Sequence, residues 1–245
     1  MEPEKAALID VESATPVMTL QSLFLLLLSV AMGALMATVL LPAWLPGLTS
    51  SLLGQAPKAY WYLSRGSAFV SFGLLWFSMA LGLTISNRLA RLWPGGPVAF
   101  DLHQYTSLLG LAFALFHGLI LLGDGYINYT LPQLLIPFAS VNFNPLWVGL
   151  GQIGIYLWAL VAFSFYVRAQ IGTRNWRLIH FTSFLAFMLA LVHGVGSGSD
   201  SGTFWATIMY WYAGGSLLFL TIYRVLVNPR LPFSKMVTNS TVPSS

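Results

Sequence analysis

Apolar residues in this chain come in long runs separated by short polar breaks. Six runs can be drawn, at 20–41, 60–85, 101–123, 146–168, 177–197 and 204–227. Each reaches about 20 residues, the length at which a helix rising about 1.5 Å per residue crosses a hydrocarbon core about 30 Å thick. The break after the second run, "SNRLARLWPGGPVAF", holds a Pro-Gly-Gly-Pro that no helix runs through. The longest break, "GDGYINYTLPQLLIPFASVNFNP", is itself apolar and aromatic, and its "LPQLLIPF" either lies flat on the membrane surface or caps a site. The pattern predicts an all-α integral membrane protein: a six-helix transmembrane bundle over 20–227, with an N-tail at 1–19 and a C-tail at 228–245.

Composition agrees with the pattern. The chain is 57% hydrophobic with a mean hydropathy of +0.75, and only 7% of its 245 residues are charged. Soluble domains carry about a quarter charged residues. The flank of the first run predicts a retained anchor in place of a signal peptide: Glu2, Glu4, Asp10 and Glu12 outweigh Lys5, the wrong sign for an n-region. Charge then orients the bundle. Lys5, Arg88, Arg91, Arg168, Arg174, Arg177, Arg224, Arg230 and Lys235 fall on one side, and only Lys58 and Arg65 on the other. The positive-inside rule places both termini in the cytoplasm and makes the +4 balance a topology signal, not a nucleic-acid footprint. The expected location is the plasma membrane, with lipid as the surrounding partner.

The chemistry lies in histidine. The chain has no cysteine, which excludes disulfides, thiolate metal sites and covalent c-type haem attachment. Its four histidines all sit in two runs: His103 and His117 in "DLHQYTSLLGLAFALFHG", His180 and His193 in "RLIHFTSFLAFMLALVHG". An ionisable residue inside a span marks function by default. Separations of 14 and 13 residues are about 21 and 20 Å along a helix. The third and fifth spans run parallel, so His103 shares a depth with His180, and His117 shares another with His193. Two imidazoles facing each other across a bundle can ligate one haem iron from both sides. Two such pairs make a ladder of two b-type haems, the arrangement transmembrane electron transfer needs. A metal ion without a porphyrin needs its ligands clustered, and these are dispersed.

The ladder contains a tension. Fourteen residues fall about 40° short of four whole turns, so His103 and His117 share a face. Thirteen fall about 140° short, so His180 and His193 do not share one on a straight helix. Differing rotamers, rotated haem planes or a bend in the fifth span must absorb the difference.

Several other residues have two readings. Gly110, seven positions from each histidine of its span, admits a porphyrin or lets helices pack closely. Arg177 meets inner haem propionates or is a loop charge. Arg65 pairs with outer propionates, draws an anionic acceptor, or snorkels to the interface. Asp101 reads as a helix N-cap, and Asp124 and Asp200 as solvated loop residues or aids in binding a ferric chelate. Trp205, Trp211 and Tyr212 read as headgroup-level anchors or as electron-hopping sites.

Six spans, histidines 14 and 13 apart on the third and fifth, and "SRGS" in the second resemble the ferric reductase-like transmembrane domain of ferric-chelate reductases and NADPH oxidases. The similarity runs from about Tyr60 to the end of the sixth span. It implies an iron- and haem-binding oxidoreductase core with His103 and His180 on the inner haem, His117 and His193 on the outer, and Arg65 beside the outer one. The family's cytoplasmic dinucleotide module has no counterpart fingerprint here, so the expected electron donor is a separate cytoplasmic flavoprotein reductase or a quinol, with flavin or quinone supplied by that partner. Relatives of the oxidase type carry a further histidine where this chain has Leu121, which argues against superoxide production. The acceptor on the outer side is then a ferric chelate, oxygen or a partner protein. A quinol-oxidising cytochrome b also carries paired histidines on two helices, and a haem-free transporter or scaffold would use them as proton or contact groups.

Overall fold

The computed structural model describes residues 14–45, 59–87, 89–91, 94–125, 127–141 and 143–227. Lys5, Lys58, Arg88, Arg230 and Lys235, the C-tail at 228–245 and most of the N-tail lie outside them. Every regular element among the described residues is helical: α1 Leu20–Trp44, α2 Ala59–Ser86, α3 Gly96–Leu119, α4 Leu131–Leu135, α5 Pro145–Ser164, α6 Arg168–Ile171, α7 Thr173–Phe181, α8 Ser183–Ser197 and α9 Phe204–Val227. Short 3-10 turns, Leu89–Arg91 and Ile120–Gly123, precede and extend α3.

Among the described residues five helices are long and apolar enough to cross a membrane: α1, α2, α3 with its 3-10 extension, α5, and α7 continued by α8. The protein is therefore an all-α, multi-pass membrane protein. The sixth apolar run forms α9, 24 residues long, with an aromatic first half and Arg224 in its last turn, and it is not among those five.

Helix ends follow local chemistry. Thr19 caps α1 by accepting from the Ser22 N–H at 3.1 Å. α3 begins five residues earlier than the apolar run because Pro97, in its first turn, is preset for a helix start, and Gly95 takes φ +104° just before it. Asp101 is therefore an exposed residue inside the helix and not its cap.

The core lies where α2, α3, α5, α8 and α9 meet. Phe72, Leu75, Leu111, Trp158, Phe187 and Tyr210 are buried there, with Phe72 stacked on Phe187 at 5.8 Å. α2 packs most extensively on α3, and α5 on α8. The α5–α8 approach is close because glycines line it: a Cβ on Gly154 would sit 3.2 Å from Leu189 Cβ, and one on Gly196 would overlap the Trp147 indole at 2.3 Å. Without a hydrophobic drive between helices in lipid, such close packing is what holds them together.

Candidate functional site

The structure brings the four histidines together as two pairs. His103 faces His180 with ring centroids 6.0 Å apart and planes at 70°; His117 faces His193 at 6.2 Å and 68°. α3 carries His103 and His117 on one unbroken helix, so the layers are about 21 Å apart.

The α2–α3 pair explains how two of the rings are aimed. Ser64, Ser71 and Ser78 recur every seven residues on α2, opposite His117, Gly110 and His103, which recur every seven on α3. Each serine hydroxyl donates across to the backbone carbonyl facing it: Ser64 to His117 at 2.9 Å, Ser71 to Gly110 at 2.9 Å and Ser78 to His103 at 3.0 Å. In return each ring donates Nδ1–H to a carbonyl of α2, His117 to Ser64 at 2.9 Å and His103 to Ser78 at 2.8 Å. His193 donates in the same way to the Trp147 carbonyl of α5 at 2.9 Å. With Nδ1 occupied as donor, Nε2 carries the lone pair, the tautomer a metal-ligating histidine takes. His180 is held differently. Its ring stacks on Trp176, 5.1 Å away and 28° from parallel.

The phase problem of the fifth span is answered by a break between its histidines. α7 ends at Phe181 and α8 begins at Ser183. At Thr182 the amide bonds back three residues to Ile179 at 2.9 Å, and the hydroxyl donates to the same carbonyl at 2.7 Å. A threonine hydroxyl bonded to its own helix loosens and bends it. The break lets His180 and His193 both reach α3.

Glycines leave room beside the rings. A Cβ on Gly151 would lie 2.5 Å from His193 Nδ1, and one on Gly82 would lie 3.2 Å from His103 Cε1. Gly110 has a different role: Trp158 Cη2 would meet its Cβ at 2.7 Å, so its missing side chain serves helix packing. Trp158 is anchored there by its indole N–H to Ser107 Oγ at 3.0 Å, and fills the space midway between the histidine layers.

A cavity of about 290 Å³ opens around His117 and His193. Its walls are mostly apolar, with Arg65 and Asp200 at one side and Gln133, Leu134 and Leu135 of α4 at another. The connection between α3 and α5 thus reaches the cavity wall through Tyr129, α4 and Phe143. Gln152 holds it there, donating Nε2–H to the carbonyls of Gln133 at 2.8 Å and Leu134 at 2.6 Å, while the Tyr156 hydroxyl donates to Leu135.

Arg65 forms an ion pair with Asp200, and its guanidinium lies 5.4 Å from the Tyr62 ring. The two aspartates expected in solvent are both engaged. Asp200 is 17% exposed in this pair, and Asp124 is 2% exposed, its carboxylate accepting the Ile127 N–H at 3.0 Å to close a turn. Arg177 is exposed. Trp205 packs on Phe69 at 4.7 Å, Tyr212 packs against Trp76 at 5.4 Å, and Trp211 is exposed.

Among the described residues no three histidine or carboxylate side chains gather around one point as a protein-only metal site. No protein family matches the chain, and no curated protein or solved structure does either.

Proposed function

We propose that this protein is a b-type membrane cytochrome that binds two haems and passes single electrons from the cytoplasmic side to an acceptor on the outer side. The single observation behind this reading is the pair of facing imidazoles at each of two depths. The ring centres of the pairs are 6.0 and 6.2 Å apart, a gap that would let one iron, at about 2.0 Å from each imidazole nitrogen, be held between the two rings. Two ligands are too few for a bare metal ion, and a haem would supply the rest. The anchored Nδ1 atoms of His103, His117 and His193 and the glycines beside the rings fit the same group.

In this reading His103 and His180 hold the inner haem, and His117 and His193 the outer. Haem supplies a one-electron carrier at each depth. The protein's part is to fix both ligands, keep water from the bundle centre with Phe72, Trp158 and Phe187, and wall the outer site with α4. The span set is completed by α9, both termini face the cytoplasm, the location is the plasma membrane, and the fold is that of the ferric reductase-like domain. A cytoplasmic flavoprotein or quinol is the donor; a ferric chelate, oxygen or a partner protein is the acceptor.

A reduced-minus-oxidised absorption spectrum of the purified full chain, with haem counted per chain, tests this directly. Two haems with b-type bands are expected. A colourless protein would eliminate the proposal and leave the transporter or scaffold reading. One haem would make one histidine pair structural.

Arg65 is expected to act on the acceptor and not on haem retention. Arg65→Ala should keep both haems and slow oxidation of the reduced protein by an anionic ferric chelate. Because the change strands the Asp200 carboxylate in a half-buried position, Arg65→Ala/Asp200→Asn should recover stability but not rate. Equal rates in wild type and Arg65→Ala would return Arg65 to an interfacial charge.

A further inference from the structure

We propose that Trp176 and Ser197 donate hydrogen bonds to haem propionates, Trp176 at the inner haem and Ser197 at the outer. The inference rests on the two-haem reading and extends it from the iron to the rim of the macrocycle. Haem carries two carboxylates on one edge and hydrocarbon on the opposite edge. A pocket that fits it supplies hydrogen-bond donors at one end and apolar walls at the other.

Both residues are donors that the protein itself leaves idle. Trp176 is 8% exposed, and its indole N–H meets no acceptor among the described residues. The Ser197 hydroxyl is buried and equally without a partner among them. A buried polar group left unpaired is costly, so each of these calls for a ligand or an ordered water.

Their places relative to the axial ligands are matched. Trp176 lies four residues before His180 on α7, and Ser197 four residues after His193 on α8. Four residues make about one turn, so each donor shares a face with its ligand and lies about 6 Å further from the bundle centre. Trp176 and Ser197 are 21 residues apart, about 30 Å of helix, which is the thickness of the hydrocarbon core. Carboxylates are tolerated at those two edges and not between them.

The surroundings fit the same orientation. The Trp176 indole already stacks against a ligand, 5.1 Å from the His180 ring. Ser197 lines the cavity around His117 and His193, whose walls are mostly apolar. Between the layers Phe72, Leu111, Trp158 and Phe187 form the core, and the Trp158 indole N–H is spent on Ser107. Hydrocarbon edges belong there. Arg65 Nε is a further unpaired donor on the outer cavity, but its helix carries no ligand and its charge is matched by Asp200, so it is left to the acceptor. Two axial ligands alone leave a macrocycle free to turn about the axis through them. The Trp176 and Ser197 contacts stop that rotation and set the apolar edges of the two haems toward each other.

Resonance Raman spectra of the purified, haem-containing full chain test the inference, because a propionate bending band shifts when its hydrogen bond is lost. Single-haem chains assign the bands: His117→Ala keeps the inner haem and His103→Ala the outer. Trp176→Phe keeps an aromatic ring against His180 and removes the N–H. It should shift the propionate band of the inner haem alone and release that haem to a scavenging apoprotein about tenfold faster. Ser197→Ala should do the same to the outer haem alone, and Ser197→Thr, which keeps the hydroxyl, should retain the wild-type band. An unchanged band and release rate in Trp176→Phe would mean that the N–H meets only water, and overturns the inner assignment. A shift of the outer band by Arg65→Ala and not by Ser197→Ala overturns the outer one. Shifts at both haems from either substitution would report a general loosening of the bundle and overturn both. A wild-type chain that binds no haem overturns the inference together with the two-haem reading, and haem counting separates that case from the others.

Discussion

His117→Ala is expected to remove one haem and spare the other, halving the haem bound per chain. The change deletes the imidazole that stands 6.2 Å from His193, together with its Nδ1–H bond to the Ser64 carbonyl. What remains at that depth is one ligand, beside a cavity enlarged by the lost ring. The damage should stay local. Between the layers α3 is continuous, and the Ser71–Gly110 hydrogen bond at 2.9 Å and the Trp158 indole brace its middle turn against α2 and α5. Residues more than about 10 Å apart with no shared partner respond independently, and the layers are about twice that distance apart. His103→Ala should remove the other haem, and the two difference spectra should add to that of the wild type. Simultaneous loss of both haems from a folded His117→Ala protein would contradict the pairing by depth.

How much of this was legible beforehand depends on how far apart in the chain the partners lie. The spans follow from composition alone, because lipid demands a long apolar run wherever the backbone crosses it. The pairing of His103 with His180 and of His117 with His193 was readable because both separations can be converted to depth through one helical rise. Phase was readable only as a conflict, and its resolution at Thr182 depends on a hydroxyl turning back onto its own helix, a choice that identical threonines such as Thr106 make without breaking theirs. The heptad of Ser64, Ser71 and Ser78 was visible in the sequence and mirrors the spacing of His103, Gly110 and His117. Serines inside spans look like ordinary small residues until the opposing helix is in place. Arg65 and Asp200 are 135 residues apart, and nothing local to either announces the other. Asp124 looked solvated because it sits between two glycines in an outer connection, yet the turn it closes folds back against buried Ile127 and Tyr129.

Gly151→Ala is the second substitution from which a large effect is expected, and it tests ligand aim without touching a ligand. The added methyl would lie 2.5 Å from Nδ1 and 2.6 Å from Cγ of His193, inside the distance any Cβ contact tolerates. Those are the ring atoms nearest the α8 backbone, so a small swing at the ring tip does not relieve the overlap. The ring is also tied to the Trp147 carbonyl, one turn before Gly151 on the same helix. Either that hydrogen bond breaks and the imidazole rotates, or α5 and α8 separate. Separation is resisted by the close contacts at Gly154 and Gly196 along the same seam. Overpacking of this kind costs about 1–3 kcal/mol, which a bundle of this size survives but a ligand bond directed at one point does not. The expected result is a folded protein that keeps its His103–His180 haem and loses, or binds in altered spin state, the haem at His117–His193. Gly82→Ala meets His103 only at 3.2 Å, which a slight ring shift accommodates, and should retain both haems. If Gly151→Ala binds two haems with wild-type spectra, His193 is not aimed by α5, and the second layer must be built some other way.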